Sequence, residues 1–85
     1  MLDINIQPLA WGHLGWWAKN NPKTLLKIHE LITITARTPF EGVGKPEPLK
    51  HSHKGYWSRR ITQEHRLVYK VESERIVVVS AKGHY

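Results

Sequence analysis

The C-terminal half of the chain contains side chains of the kinds that can cleave RNA without a metal ion. RNA carries its own nucleophile, the 2′-hydroxyl, so cleavage needs a base to remove that proton and an acid to protonate the leaving 5′-oxygen. It also needs positive charge, because negative charge grows on the phosphate in the transition state. Glu47 is a candidate base, and His84 is a candidate acid because a histidine titrates near neutral pH. The candidate phosphate ligands are Arg59, Arg60 and Arg66.

Glu47 lies between Pro46 and Pro48, with Lys45 and Lys50 nearby. Two flanking prolines fix the local backbone and remove amide donors that could bind the carboxylate locally. One interpretation is therefore a rigidly aimed general base. The other is an ordinary loop carboxylate in a surface ion pair, which contributes roughly 0 to 1 kcal/mol.

The three arginines lie on two adjacent predicted strands, and their faces depend on the connection at residues 62 to 65. An even-numbered connection pairs Ile61 with Arg66 and puts Arg59 on the side of Arg66. An odd connection or a bulge puts Arg60 there instead. Arginine matches phosphate geometry and keeps its charge, but on an exposed sheet face it can also serve solubility alone. The sequence leaves these alternatives open.

His84 and Tyr85 are the last two residues and follow, after Lys82 and Gly83, a strongly apolar predicted strand at residues 75 to 81. Strand alternation places His84 on the face of Ser80 and Lys82. Tyr85 is a candidate for stacking on an unpaired base. The alternative is a frayed tail, since chain ends are often disordered.

The other histidines and the paired tryptophans are interpreted as structural or interface residues. The segment His51-Ser52-His53 lacks partners at convincing ligand spacing, so we predict no metal site and no cofactor. His13 and His29 fall on predicted helices and are interpreted as structural. Trp16 and Trp17 lie about 100° apart on one helix, so one is expected in the core. The other is either exposed at a protein interface or also packed in the core, and we favour core packing for the pair.

The N-terminal half predicts a strand followed by a helical hairpin. Leu2, Ile4 and Ile6 alternate with polar residues, as in a half-buried strand. Pro8 suits the first turn of a helix, and Asn21-Pro22 suits the start of the next. The predicted inner residues of the first helix are Trp11, Leu14 and Ala18, and those of the second are Leu25, Ile28, Leu31, Ile32 and Thr35. Thr38-Pro39 ends the hairpin.

The C-terminal half predicts a loop and then three antiparallel strands. Residues 41 to 48 contain two glycines and two prolines, which favour a structured loop. Strands are predicted at residues 56 to 61, 66 to 71 and 75 to 81, joined by short connections. The last strand is rich in valine and isoleucine, which predicts a central position. We therefore predict one α+β domain over residues 1–85: a helical hairpin on a mainly antiparallel sheet, in the order β-α-α-β-β-β with one possible further strand.

The composition indicates a polyanionic partner and no membrane segment. The chain has 13 Lys and Arg against 7 Asp and Glu, a formal charge of +6. Such an excess is typical of nucleic-acid binders, although solubility alone can explain it. The N-terminus lacks a signal-peptide pattern, and the longest apolar run, residues 76 to 79, is too short to span a membrane. Together with the absence of cysteine, this suits a cytoplasmic protein.

Three stretches carry a resemblance to a known family. They are TPFEGVGKPEPLKH at residues 38 to 51, GYWSRRITQEHRLVY at residues 55 to 69, and the terminal His84-Tyr85. Together they resemble the YoeB toxins of the RelE-type superfamily. The resemblance implies an mRNA-cleaving toxin that acts in the decoding site of the ribosome, on a RelE-like, microbial-ribonuclease fold. By position it implies a general base, a transition-state stabiliser and a general acid at Glu47, Arg66 and His84. The implied substrate contacts are Tyr85, Lys50, Arg60 and Lys82.

The resemblance also implies partners: a YefM-like antitoxin that wraps the toxin with an initially disordered segment, a homodimer, and a toxin–antitoxin complex on operator DNA. One departure is Gly83, which stands where the family commonly carries a bulky residue and leaves open how firmly His84 is positioned. Two other functions compete with cleavage. A basic protein can block ribosomal RNA or DNA without cutting it, and a toxin-like relative can have lost its activity.

Overall fold

Two helices pack on one face of a five-stranded sheet in the computed structural model, which describes residues 1–84. The sheet order is β1-β5-β4-β3-β2, with β1 parallel to β5 and every other pair antiparallel. This α+β architecture confirms the predicted fold class and element order. The elements are β1 (Asp3–Ile6), α1 (Pro8–Asn20), α2 (Pro22–Arg37), β2 (Glu47–Pro48), β3 (Tyr56–Arg60), β4 (Arg66–Glu72) and β5 (Arg75–Ser80).

Helix α2 follows its sequence pattern closely. Asn21 caps it by accepting a hydrogen bond from the Thr24 amide at 3.3 Å, and Pro22 occupies the first helical position. The helix ends at Arg37, just before the Thr38-Pro39 step. Its predicted inner residues are buried, apart from a partly buried first member; they are Leu25, Ile28, Leu31, Ile32 and Thr35.

The predicted inner face of α1 was wrong for Trp11 and Ala18, which are exposed, whereas Leu14 is partly buried against the core. Trp11 is 68% exposed, whereas Ala10 and Trp17 are buried. The large Trp17 ring sets the rotation of the helix, because burying it also buries a hydrogen bond from its Nε1 to the Ala81 carbonyl at 2.8 Å. Trp11 lies six residues earlier, roughly 120° away around the helix, and is therefore turned towards solvent.

Strand β5 takes the predicted central position, between β1 and β4, with Ile76, Val77 and Val78 buried. Its register is interrupted, because Val68 pairs with Ser80 while the adjacent Tyr69 pairs with Val78. The strand also ends at Ser80, and residues 81–84 do not continue it. The prediction that strand alternation sets the side of His84 was therefore wrong.

Part of the segment predicted as a loop is a short edge strand. Glu47 and Pro48 form β2, which pairs with Ser58 and Trp57 of β3. Proline fits there because an edge strand leaves backbone groups without ladder partners. Across residues 1–84, neither helix has the length and apolar character needed to cross a membrane.

Candidate active site

The register of β3 and β4 decides which arginine shares a face with Arg66. Arg60 pairs directly with Arg66 across five connecting residues, so both side chains lie on the sheet face turned away from the helices. The adjacent Arg59 points to the helix side and is fully buried. The odd-numbered connection, one of the two alternatives left open by the sequence, is therefore the one observed.

Arg59 ties the segment after α2 to the sheet. Its guanidinium donates hydrogen bonds to the carbonyl oxygens of Thr38, Glu41 (2.8 Å) and Val43 (3.0 Å), while Nε donates to the Tyr69 hydroxyl at 3.3 Å. Burial raises the pKa of Tyr69 more than the Arg59 hydrogen bond and charge lower it, so the phenol keeps its proton. This hydroxyl in turn donates to a backbone carbonyl of the same segment. Arg59 is thus a structural anchor that the sequence did not reveal.

The backbone on both sides of Glu47 is fixed by hydrogen bonds to β3. Before it, the Arg60 amide donates to the Gly44 carbonyl at 2.7 Å; after it, the Leu49 amide donates to the Tyr56 carbonyl at 2.8 Å. Gly44 has a φ of +86°, and a Cβ there would lie 3.2 Å from the Arg60 carbonyl oxygen. Glycine is therefore required for this close approach.

The Glu47 carboxylate lies on the same sheet face as Arg60 and Arg66. Glu47 pairs with Ser58, which pairs with Val68 of β4, and the two arginines lie two residues further along these strands. Two residues along a strand span about 7 Å. Glu47 is exposed, and no partner for its carboxylate occurs within residues 1–84. It is therefore available to an incoming ligand.

Gly83 is hydrogen-bonded to the residues at the start of β4. The Gly83 amide donates to Nδ1 of His65 at 2.9 Å, and the Gly83 carbonyl accepts from the Arg66 amide at 3.1 Å. Gly83 has a φ of +79°, a conformation that glycine adopts without steric cost. Both backbone groups of Gly83 are thus used, which anchors the exposed His84 beside Arg66. Tyr85 lies outside the described residues.

Two side chains of α1 form hydrogen bonds with the backbone of Ala81, shortly before His84. The Ala81 carbonyl accepts from Trp17, and the Ala81 amide donates to Nδ1 of His13 at 3.0 Å. The Trp17 ring also packs edge-on against His65 at 4.8 Å between centroids. These contacts confirm that His13 is structural and that Trp17 belongs to the core.

Lys82 and Trp16 form a pair on the surface of this region. The Lys82 ammonium lies 4.4 Å from the centre of the Trp16 ring, a cation–π contact, and Trp16 is 44% exposed. Trp17 is therefore in the core and Trp16 is exposed, so the expectation that both tryptophans pack in the core was wrong. The positive charge of Lys82 therefore lies two residues before His84 in sequence and against α1 in space.

The hydrogen bond between His13 and the Ala81 amide depends on pH. Its Nδ1 accepts a hydrogen bond, which the doubly protonated imidazolium cannot do. Burial, and then the charge of Lys82, lower its pKa below the ordinary value of 6.5. A histidine with a lowered folded-state pKa contributes stability that is present above pH 6.5 and is lost as pH falls through the folded-state pKa.

We therefore expect His13→Gln, whose side-chain oxygen can still accept from Ala81, to reduce the loss of stability in acid. The measurement is the urea midpoint of both proteins at pH 7.5 and pH 5.5. Because both proteins carry the same other histidines, the contribution of these residues cancels in the comparison. The wild type should lose more stability over this interval than the variant. Equal losses would contradict the assigned role of His13.

Lys50 and the neighbouring histidines lie at the opposite end of the site. Lys50 is exposed and follows β2, on the side away from Gly44. His51–His53 form a single 3₁₀ turn, and His29 is exposed on α2. Within residues 1–84, no three His, Asp or Glu side chains are grouped so that they could hold a metal ion.

Comparison with known proteins gives consistent matches over nearly the whole chain. The sequence model of a family described as "YoeB-like toxin of bacterial type II toxin-antitoxin system" matches residues 6–85. Toxin YoeB of Escherichia coli K12 is 50% identical over 76 residues, 89% of this chain and 90% of that toxin. The structure of a YoeB/ParE toxin from Agrobacterium tumefaciens is 42% identical, with a TM-score of 0.95 over 99% of this chain and 100% of that one.

Two structures from Staphylococcus aureus match equally broadly. A YoeB dimer is 44% identical, with a TM-score of 0.89 over 99% of this chain and 98% of that chain. A heterotetrameric YoeB–YefM toxin–antitoxin complex contains a chain 43% identical, with a TM-score of 0.88 over 100% of this chain and 99% of that one. The similarity spans the sheet, the hairpin and the segments that carry the candidate site. The chain therefore belongs to the YoeB-like toxins of bacterial type II toxin–antitoxin systems.

Proposed function

We propose that this toxin is an endoribonuclease that cuts mRNA in the decoding site of the ribosome by metal-independent acid–base catalysis, and so stops translation. The observation that carries the proposal is the convergence of Glu47, Arg60 and Arg66 on one sheet face, with the backbone before His84 hydrogen-bonded to Arg66. A carboxylate, two guanidiniums and an imidazole are the groups that the reaction requires.

In the proposed reaction, Glu47 accepts the proton of the ribose 2′-hydroxyl as the 2′-oxygen attacks the adjacent phosphorus. The bond from phosphorus to the 5′-oxygen then breaks, and His84 donates the proton that this oxygen takes up. The products are a 2′,3′-cyclic phosphate and a 5′-hydroxyl. Arg66 stabilises the extra charge on the phosphate in the transition state, and Arg60 and Lys50 provide auxiliary phosphate contacts.

The openness of the site supports a requirement for the ribosome. Glu47 and His84 are both exposed, and Arg60 is exposed beside them. Such a surface supplies reactive groups but little to align the 2′-oxygen with the leaving 5′-oxygen, and alignment accounts for a large part of catalysis. In the proposal, the ribosome supplies that alignment by presenting mRNA in a fixed path. Tyr85 then stacks on a base, and Lys82 adds positive charge near the phosphates.

The proposed partners follow from the relatives and from the charge of the chain. Staphylococcus aureus YoeB is found as a dimer and with YefM in a toxin–antitoxin complex. We extend this to a YefM-like antitoxin and a homodimer here. The formal charge of +6 suits an acidic or nucleic-acid partner, which supports operator binding by the toxin–antitoxin complex. We propose that the toxin meets these partners in the cytoplasm.

His84→Ala is expected to relieve growth arrest without unfolding the toxin. The side chain is exposed, so its removal should change stability by less than about 0.5 kcal/mol. The measurement is primer extension on mRNA from induced cells, with toxin level checked by immunoblot. Wild-type toxin should create new 5′ ends at translated codons, and the variant should not.

The same measurement separates cleavage from a second function, blocking of the ribosome by a basic protein that does not cut, which the charge of +6 favours. Arrest by wild-type toxin without new 5′ ends would support blocking. A variant that remains fully toxic at equal level would show that His84 is not the acid.

A further inference from the structure

A groove of about 850 Å³ opens at the end of the sheet where β3 passes into β4. Four of the residues that line it are cationic, and none is acidic; the cations are Lys27, Lys45, Arg60 and Arg66. Gln63 and Val43 add an amide and an exposed apolar side chain. Because like charges repel, this convergence is unfavourable without an anionic ligand.

The groove continues the candidate active site in one direction. Arg60 and Arg66 belong to both, and Gly44 lies against Arg60 with Lys45 next to it. Lys27 lies on α2, so the groove leads from the sheet face over the β3–β4 connection towards the helices. Lys50 lies on the other side of Glu47, which places the site within a longer line of positive charge.

The cations of the groove are not engaged elsewhere in the described residues. Among residues 1–84 the salt bridge joins Lys70 to Glu72, and neither Lys27 nor Lys45 takes part in one. Lys45 has a φ of +50°, a conformation that costs a non-glycine residue about 1 kcal/mol or more. In the same loop, Gly42 and Gly44 adopt positive φ without that cost. A lysine at this position is therefore explained better by its charge than by its backbone.

We infer that this groove binds the single-stranded RNA next to the nucleotide being cut, with Lys27 and Lys45 each contacting a backbone phosphate. The inference rests on the proposed function and extends it, because it assigns the path by which one flank of the RNA leaves the site. Lysine suits this task, since a flexible ammonium contacts phosphate as a point charge and does not require one orientation. Gln63 and Val43 are positioned to contact a base or ribose in the same groove.

The test is binding of a short fluorescent RNA whose 2′-hydroxyls are all methylated, so that it cannot be cut. Anisotropy titrations over a series of salt concentrations compare wild-type toxin with Lys27→Gln and Lys45→Gln. Arg75→Gln is the matched control. Arg75 is exposed and lies opposite Glu72 in the strand register, and Glu72 is roughly 20 Å along β4 from Arg66. All three substitutions remove one positive charge.

We expect each lysine substitution to weaken binding roughly two- to fivefold and to lower the salt slope by about 0.7, while the control does neither. On a methylated dinucleotide, too short to enter the groove, wild type and both lysine variants should bind equally. Equal weakening by Arg75→Gln, unchanged binding by the lysine variants, or a difference that persists on the dinucleotide would overturn the inference. This assay measures RNA binding and not RNA cutting. Failure of the inference about the groove can therefore be distinguished from failure of the proposed catalysis.

Discussion

Glu47→Gln is expected to lower the rate of mRNA cutting by about 10²- to 10⁴-fold, the usual contribution of a general base. The amide has nearly the shape of the carboxylate, but it is not basic enough to remove the proton of the 2′-hydroxyl. Glu47 is exposed, and its carboxylate has no hydrogen bond or ion pair within residues 1–84, so folding should be unaffected. The measurement is the cutting rate of purified toxin on mRNA in an in vitro translation mixture.

Glu41→Gln is the matched control for this experiment. Glu41 is exposed in the same segment before β2, and its carbonyl, which Arg59 binds, is retained in the variant. The control should cut at the wild-type rate. If Glu47→Gln also cuts at that rate, Glu47 is a loop carboxylate and the proposed base lies elsewhere.

Arg59→Met is expected to lower the free energy of unfolding by about 2 to 4 kcal/mol. The guanidinium is fully buried and donates to three backbone carbonyls and to the Tyr69 hydroxyl. Methionine fills part of the space but leaves these acceptors without their donor, and each such loss costs about 1 to 3 kcal/mol. Removing a buried charge offsets part of this cost. Urea titration followed by tryptophan fluorescence gives the value.

Arg60→Met, one residue further along β3, provides the contrast. Arg60 is exposed, so this variant should change the free energy of unfolding by no more than about 0.5 kcal/mol while slowing the cutting of mRNA. Arg59→Met should also slow cutting, because the segment that aims Glu47 loses its anchor. Equal stability of the two variants would contradict the assignment of Arg59 as a structural anchor.

The parts of the fold that could be predicted depend on interactions between residues that are close in the sequence. Helix α2 has an N-cap at Asn21, a proline at its first position and an apolar stripe of regular spacing, so its ends and inner face could be predicted. Helix α1 could not be oriented in the same way, because several of its faces carry a large apolar residue. A distant hydrogen bond from Trp17 to Ala81 decides which face is buried.

The face of each arginine depends on a turn whose length no alternating pattern specifies. In the structure, the amides of Ile61 and Thr62 both donate to the His65 carbonyl, which closes the turn and fixes the register. One residue more or fewer would exchange Arg59 and Arg60. The buried role of Arg59 is therefore visible only once the register is known.

The chain end shows the same limit. Alternation along β5 could not place His84, because the strand is irregular beside Val68 and ends at Ser80. Two hydrogen bonds of Gly83, to His65 and from Arg66, replace the strand as the support of His84. The roles of Glu47, Arg66 and His84 were predicted through their resemblance to the YoeB toxins, and those roles stay predictions.

We propose that this toxin cuts mRNA on the ribosome with its own side chains. The most direct measurement maps the 5′ ends of one mRNA after incubation with purified toxin, in an in vitro translation mixture and in the same mixture without ribosomes. New 5′ ends at translated codons, present only with ribosomes and missing with Glu47→Gln, are the predicted result. Inhibited translation without new ends, or equal cutting of the mRNA without ribosomes, would contradict the claim.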